Sequence, residues 1–216
     1  MKQTRKHIYA HIINNGHEAV FYGIKFADFV ECMPVPIENL LLLKSDYCGE
    51  RDFRGFWLVE GKEGIAALMC EDIYGYGDFC FVDYLNASSL GELTELQIAE
   101  LLYLGHTHKP LGTPFFEVLQ NRFAYFSHDD GWYSRIYCKN ENSLVSLLLN
   151  VVQKRVGRVL KKDLVSGIGS LVGQGLLIEF EENKMELYEV GKYVNMNEWL
   201  NNLENIKRNA GRFLSM

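Results

Sequence analysis

The sequence has no apolar run long enough to cross a membrane. Its longest runs, such as Leu40 to Leu43 and Leu147 to Leu149, fall far short of the roughly 20 residues that a membrane-spanning helix requires. Histidines and asparagines interrupt the first twenty residues, so they contain no apolar core of a secretory signal. We therefore expect a protein that neither spans a membrane nor is secreted.

The chain also has few cysteines, and no two of them form a CxxC pair. The five cysteines are Cys32, Cys48, Cys70, Cys80 and Cys138. An odd number without close pairs does not predict a disulfide framework or a zinc ribbon. Reduced thiols are the expected state, which favours a cytoplasmic location.

Apolar and charged residues are present in the proportions of a folded globular protein. Hydrophobic residues make up 48% of the chain and charged residues 23%, which argues against extended disorder. The aromatic share of 13%, largely in alternating segments, indicates β-sheet, because flat rings fit a pleated, half-buried surface. Residues 1–150 hold 12 Lys and Arg against 20 Asp and Glu, whereas residues 151–216 hold 10 against 8. This contrast suggests a boundary near residue 140.

The first part of the chain is predicted to be a meander of short strands. Apolar runs between Ala19 and Tyr84, among them residues 19–29 and 64–72, are separated by Gly, Asp and Lys. They lie too close together for crossover helices, so the sheet should be mainly antiparallel. The glycines from Gly61 to Gly64 predict the loop of a hairpin within this meander.

One long helix and a second hairpin complete this body. Thr94 and Gln97 have the spacing of a capping box, so a helix should begin at Thr94 and end at Gly105. Asp130 and Gly131, between two alternating segments, predict a tight hairpin turn. We assign residues 1–140 to an antiparallel α+β body.

Residues 141–216 are predicted to form a smaller helical subdomain with a β-hairpin. Apolar residues from Leu144 to Val156 recur at helical spacing. A second apolar seam in a last helix comprises Trp199, Leu203, Ile206, Ala210 and Phe213. Residues 163–190 resemble the latter part of a winged helix. The predicted class is α+β, with this subdomain attached to the antiparallel body.

The string from Gly105 to Pro110, GHTHKP, resembles the last metal-binding motif of the calcineurin-like metallophosphoesterases. In that family the two histidines bind a dinuclear metal centre, so the resemblance implies metal ligation by His106 and His108. The family also uses an upstream DxH and a GNH motif, which this chain lacks; of its other motifs only Gly77-Asp78 is present. The resemblance covers six residues.

A metal site can also be predicted without reference to that family. Two segments carry candidate ligands, and these are His106, His108, His128, Asp129 and Asp130. Imidazole and carboxylate ligands suit zinc, manganese or iron, and an HxH pair on an extended segment would place both rings on one side. The alternative is structural, because a hairpin turn alone explains the aspartates.

A basic stretch offers a nucleic-acid hypothesis. Its residues are Lys154, Arg155, Arg158, Lys161 and Lys162. The residues expected to read bases are chiefly serines and one glutamine between glycines, and the predicted wing is acidic and would repel phosphate. We therefore expect these cations to be solvated or paired with the acidic N-terminal body rather than bound to DNA.

No complete catalytic constellation occurs in the sequence. The first functional hypothesis is a cytoplasmic, non-enzymatic binding or regulatory protein that acts on a protein partner or on itself, without a cofactor. The terminal apolar seam and the uneven charge support it. The alternative is a metal-dependent hydrolase that uses the GHTH and HDD segments.

Overall fold

The structure, a computed structural model, describes residues 7–44, 55–71, 78–128, 131–157, 162–170, 175–181, 184–191 and 211–215. The strands are β1 (His7–Ile13), β2 (Glu18–Tyr22), β3 (Asn39–Lys44), β4 (Trp57–Glu60), β5 (Cys80–Asp83), β6 (Phe123–His128), β7 (Tyr133–Cys138), β8 (Gly175–Glu181), β9 (Lys184–Gly191) and β10 (Gly211–Ser215). The helices are α1 (Phe26–Cys32), α2 (Gly61–Cys70), α3 (Ala87–Leu90), α4 (Glu95–Thr107), α5 (Asn142–Val156) and α6 (Lys162–Ser170).

The strands of these segments form one antiparallel sheet, in the order β10-β9-β8-β1-β2-β7-β6-β5-β3-β4. The predicted α+β class with a mainly antiparallel sheet is confirmed. The β8–β9 hairpin continues the same sheet, because β8 pairs with β1. The division at residue 140 remains a prediction.

The two faces of the sheet carry separate cores. Strand β3 shows the division: Leu40 and Leu42 pack with α1, α2 and α5, whereas Leu41 and Leu43 pack with α4 on the opposite face. Successive side chains of a strand point to opposite faces, so one apolar strand serves both cores. Helix α4 thereby lies across β3 and β5.

Aromatic rings fill the core on the α1 side. The rings of Phe81 and Tyr125, on neighbouring strands, stack with centroids 4.9 Å apart, and Phe26 and Phe29 of α1 contact both of them. Such pairs contribute about 0.5–1.5 kcal/mol beyond the burial of their area. The aromatic content that predicted a sheet is therefore concentrated where a helix packs on that sheet.

Two segments that were predicted as strands are helices. Residues 61–70 form α2, in which Ile65 and Leu68 are buried one helical turn apart against β3 and β4. Residues 26–32 form α1, whose first turn is held by the Asp28 carboxylate accepting a hydrogen bond from the Lys25 N–H. A short apolar run is compatible with both the 3.6-residue period of a helix and the 2-residue period of a strand. Packing against neighbouring segments therefore decided that these two segments are helices.

The predicted C-terminal helix does not extend to its last apolar residue. Phe213 lies in β10, which pairs with β9, whereas Trp199, Leu203, Ile206 and Ala210 lie outside the described residues. The last residue of the predicted apolar seam therefore belongs to a strand and not to a helix. No helix in the described segments is long and apolar enough to cross a membrane.

Candidate metal centre

Two histidine rings meet beside the C-terminal end of α4. His108 follows the last residue of α4, and His128 is the last residue of β6. Their Nδ1 atoms are 3.5 Å apart, and the ring centroids are separated by 4.9 Å at an interplanar angle of 71°. At 3.5 Å the contact is at the outer limit of a hydrogen bond, so hydrogen bonding alone holds the rings weakly.

The carboxylate of Asp78 is the third member of the group. Its Oδ2 lies 4.0 Å from Nδ1 of His128, and one ligand atom from each of the three residues lies within 4.8 Å of the others. Within the described residues, Asp78, His108 and His128 are the one group of three acidic, histidine or cysteine side chains close enough to share an ion.

Strand pairing brings Asp78 and His128 together. Strand β5 pairs with β6 so that Cys80 lies opposite Phe126, two residues from each of the ligands. The N–H of Ser127 donates to the carbonyl of Phe79 over 2.8 Å, which extends the pairing beyond β5. The segment before β5 and the end of β6 are thereby fixed side by side.

Helix α4 delivers His108 because it lies unusually close to the sheet. A Cβ atom on Gly105 would be 2.8 Å from Cβ of Leu43 on β3, a distance that real Cβ atoms do not reach. Gly105 is therefore an interior residue of α4, and the prediction that it ends the helix is wrong. It permits close contact between helix and strand, and the chain continues through Thr107.

The backbone of His108 adopts a conformation that normally favours glycine or asparagine. Its φ is 53°, in the left-handed region, and its N–H donates to the carbonyl of Leu104 as a helix C-terminus requires. A histidine here costs conformational energy, and its side chain is 6% exposed, packed against His128 and Phe126. The contacts of the imidazole, not the needs of the turn, therefore explain a histidine at this position.

The environment of His128 keeps its imidazole neutral. Burial, together with the nearby His108 and Arg135, lowers the pKa of His128 to about 4, whereas Asp78 acts in the opposite direction. The ring stacks on Tyr133 with centroids 4.7 Å apart. A neutral imidazole has a lone pair available, and that is the form in which histidine binds metal ions.

The histidines of the GHTH string lie in different environments. His106 lies inside α4 and is exposed, whereas His108 is buried at the helix end. The prediction that both rings lie on one side assumed an extended segment, and the helix makes that assumption wrong. Asp129 and Asp130 lie outside the described residues.

Asp78 was not among the candidate ligands, although the Gly77-Asp78 pair was noted. It is separated from His108 by 30 residues and from His128 by 50, and the Gly77-Asp78 pair alone is too short to identify a ligand. The pairing of β5 with β6 brings it to His128.

The basic residues that suggested nucleic-acid binding are partly engaged within the protein. Lys154 pairs with Asp28 and Glu31, both on α1. Arg155 donates to the Asp28 carboxylate and to the carbonyl of Gly23, and its guanidinium lies 5.6 Å from the ring centroid of Phe180. Lys162 is exposed, whereas Arg158 and Lys161 lie outside the described residues.

Comparison with known proteins adds no identity to this site. The chain matches no protein-family model, and neither a curated protein nor a solved structure is significantly similar to it. The geometry of the chain itself is therefore the basis for inferring its function.

Proposed function

We propose that the protein binds a divalent transition-metal ion through Asp78, His108 and His128. The observation that carries this proposal is the 3.5 Å separation of the two Nδ1 atoms. Zinc binds imidazole nitrogens at about 2.0–2.1 Å, so two such ligands on a tetrahedral ion are about 3.4 Å apart. The two rings are thus already spaced as a pair of ligands.

The donor set determines the class of ion. Two imidazoles and one carboxylate suit zinc, iron or manganese, whereas magnesium and calcium prefer oxygen ligands. Three ligands from the protein leave at least one coordination position for water or another molecule. Zinc is the ion we expect first, because two histidines and one carboxylate with an open fourth position form a donor set that zinc sites use.

Metal titration of purified, metal-free protein tests the proposal. Native mass spectrometry with added zinc should give one ion per chain, and His108→Ala or His128→Ala should abolish its retention. His106→Ala is the matched control, because His106 lies two residues away and is exposed. Absence of bound zinc in the wild type, or equal loss in the His106 variant, would refute the proposal.

Metal-dependent hydrolysis is a second candidate function, and the exposure of the site favours it. The Asp78 side chain is 38% exposed, so one side of the group is accessible to a small molecule. A bound zinc ion activates water for attack on esters and phosphoesters. Zinc-loaded protein should then hydrolyse an activated ester or phosphoester, and His128→Ala should remove that activity while His106→Ala retains it.

A non-enzymatic role in the cytoplasm, through a protein partner or self-association, is compatible with the same metal site. An ion held between the end of α4 and the β5–β6 pair would stabilise the fold, as structural metals do. The cysteines Cys32, Cys70, Cys80 and Cys138 form no disulfide, which supports a reducing compartment.

We do not extend the proposal to DNA binding. The ion pairs of Lys154 and Arg155 occupy two of the cations that such binding would need. The winged-helix-like arrangement of residues 163–190 remains a prediction, and salt-dependent binding to a DNA duplex at low ionic strength would be its test.

A further inference from the structure

Apolar exposure in the described part of the chain is concentrated on α4 and the loop that follows it. Of the seven large hydrophobic side chains that are exposed, four lie between residues 96 and 111. Leu96 is 70% exposed, Leu102 47%, Tyr103 43% and Leu111 67%. Single exposed apolar residues are ordinary, but a contiguous group marks an interaction site.

Three of them, Leu96, Leu102 and Tyr103, lie on one side of the helix, which we call the outer face of α4. Its members are exposed residues on the side opposite the sheet, namely Glu95, Leu96, Ala99, Leu102, Tyr103 and His106. The inner side is already used, because Ile98, Leu101 and Leu104 are buried against the sheet. A surface helix needs one apolar side to pack on the core of its own chain. The packing of the described residues therefore does not account for a second apolar side.

The charges around the outer face differ between its two ends. Glu95 lies in the first turn of α4 and Glu92 three residues before it, whereas His106 lies in the last turn and Lys109 two residues after the helix. An antiparallel copy of the same helix would bring each acidic end against a basic end. Two antiparallel helix dipoles also attract each other, although weakly at an exposed surface.

A single two-fold axis satisfies these pairings at the same time. Glu92 with Lys109, Glu95 with His106, and Ala99 with Leu102 are each centred on the same point, between residues 100 and 101. That point is close to the middle of α4, which spans Glu95–Thr107. Pairing about it would place Ala99, Leu102 and Tyr103 near the centre and the charged residues at the two rims, as interfaces are usually arranged.

We propose that the outer face of α4 binds the same face of a second copy of this chain, with the two helices antiparallel. Such an interface is self-complementary, which is the commonest arrangement among soluble homo-oligomers. It does not depend on the proposed metal site, because its residues are separate from Asp78, His108 and His128. The earlier hypothesis of self-association thereby acquires a specific surface.

Sedimentation velocity of the full chain, from about 1 to 100 µM, tests the association in the range of weak to moderate dimers. The wild type should change from monomer to dimer as concentration rises. Leu96→Glu and Tyr103→Glu should remain monomeric. Val35→Glu is the control, since Val35 is 42% exposed and lies outside α4, in the segment between α1 and β3. Circular dichroism would establish that each variant is folded.

Charge reversal separates this arrangement from other contacts. Glu92→Lys and Lys109→Glu should each weaken the dimer roughly tenfold, because each like-charge contact occurs twice in a symmetric pair. The double variant should recover the wild-type affinity, and so should an equimolar mixture of the two single variants. A wild type that stays monomeric throughout, a dimer insensitive to Leu96→Glu and Tyr103→Glu, or failure of the double variant to recover would overturn the proposal.

Discussion

The carboxylate of Asp83 holds the start of β6 through Arg122. Oδ1 of Asp83 accepts hydrogen bonds from the N–H groups of Arg122 and Phe123, at 2.7 and 3.0 Å, and Oδ2 accepts one from Nε of Arg122 at 2.7 Å. Asp83 is 2% exposed, so these three donors replace the water that its charge would otherwise bind. Burial raises the pKa of Asp83, and the three donors lower it by less.

Replacing Asp83 with alanine should destabilise the protein by about 2–4 kcal/mol, because two backbone N–H groups and a guanidinium lose their acceptor. Asp83→Asn should cost less, since an amide oxygen still accepts from the backbone. Urea denaturation of metal-free protein measures the free energy of unfolding. Asp78→Asn, at a 38% exposed aspartate, is the control and should change it by less than about 0.5 kcal/mol. Equal values for Asp83→Ala and the wild type would contradict this account.

Metal-free protein should lose stability as the pH falls below about 6.5. The pKa of His128 is about 4 in the folded chain, against 6.5 for an unperturbed histidine. Between these values the unfolded chain binds the proton and the folded chain does not, so acid favours unfolding. His108 and Arg135 oppose protonation of His128, and Asp78 favours it. The expected loss from pH 7 to pH 5 is on the order of 1–2 kcal/mol.

Urea unfolding at several pH values, with a chelator present, measures this dependence. His128→Asn should flatten the curve, because it removes the group that titrates. His106→Asn should leave the slope unchanged, since that ring is exposed. Identical slopes for the wild type and His128→Asn would show that other groups cause the loss.

The carboxylate of Asp78 should contribute directly to zinc affinity. Asp78→Asn keeps the size of the side chain but removes a charged ligand, so we expect at least about a tenfold increase in the dissociation constant for zinc. Competition with a chromophoric chelator measures that constant. Glu92→Gln removes an exposed charge at the opposite end of α4 and should leave it unchanged. An unaltered constant in Asp78→Asn would mean that another group supplies the third ligand.

Local patterns predicted the sheet and the start of α4 because the causes are local. Alternating aromatic segments became paired strands, and the capping box at Thr94 formed, with Gln97 N–H donating to the Thr94 hydroxyl. The strand prediction for residues 61–70 was wrong because a short apolar run is compatible with both a strand and a helix. Its packing against β3 and β4 decided the outcome, and that information lies elsewhere in the chain.

The site could be predicted only in part, for the same reason. His108 and His128 were recognised as candidate ligands from their residue types, but they meet because α4 crosses the sheet beside the end of β6. The short Gly77-Asp78 pair did not identify Asp78 as a ligand, and Asp78 lies beside His128 because β5 pairs with β6. At Gly105 a local signal was present but was misinterpreted. A glycine near the end of a helical pattern suggested a helix terminus, whereas the close packing of α4 on β3 is what requires glycine there.

Gly105→Ala should destabilise the protein although alanine favours helix more than glycine does. The added Cβ would lie 2.8 Å from Cβ of Leu43 and 3.0 Å from its carbonyl carbon, so α4 would have to move away from β3. We expect a loss of about 1–3 kcal/mol in the free energy of unfolding, as for other overpacked sites. The same shift would displace His108, so zinc affinity should fall together with stability.

Gly169→Ala in α6 is the matched control for this substitution. A Cβ on Gly169 would meet nothing within 4 Å, so only the helix preference changes, and the variant should be as stable as the wild type or up to about 1 kcal/mol more stable. Urea denaturation of both variants measures the difference. If Gly105→Ala behaved like Gly169→Ala, α4 would lie farther from β3 than the structure has it, and the approach that brings His108 to His128 would lose its explanation.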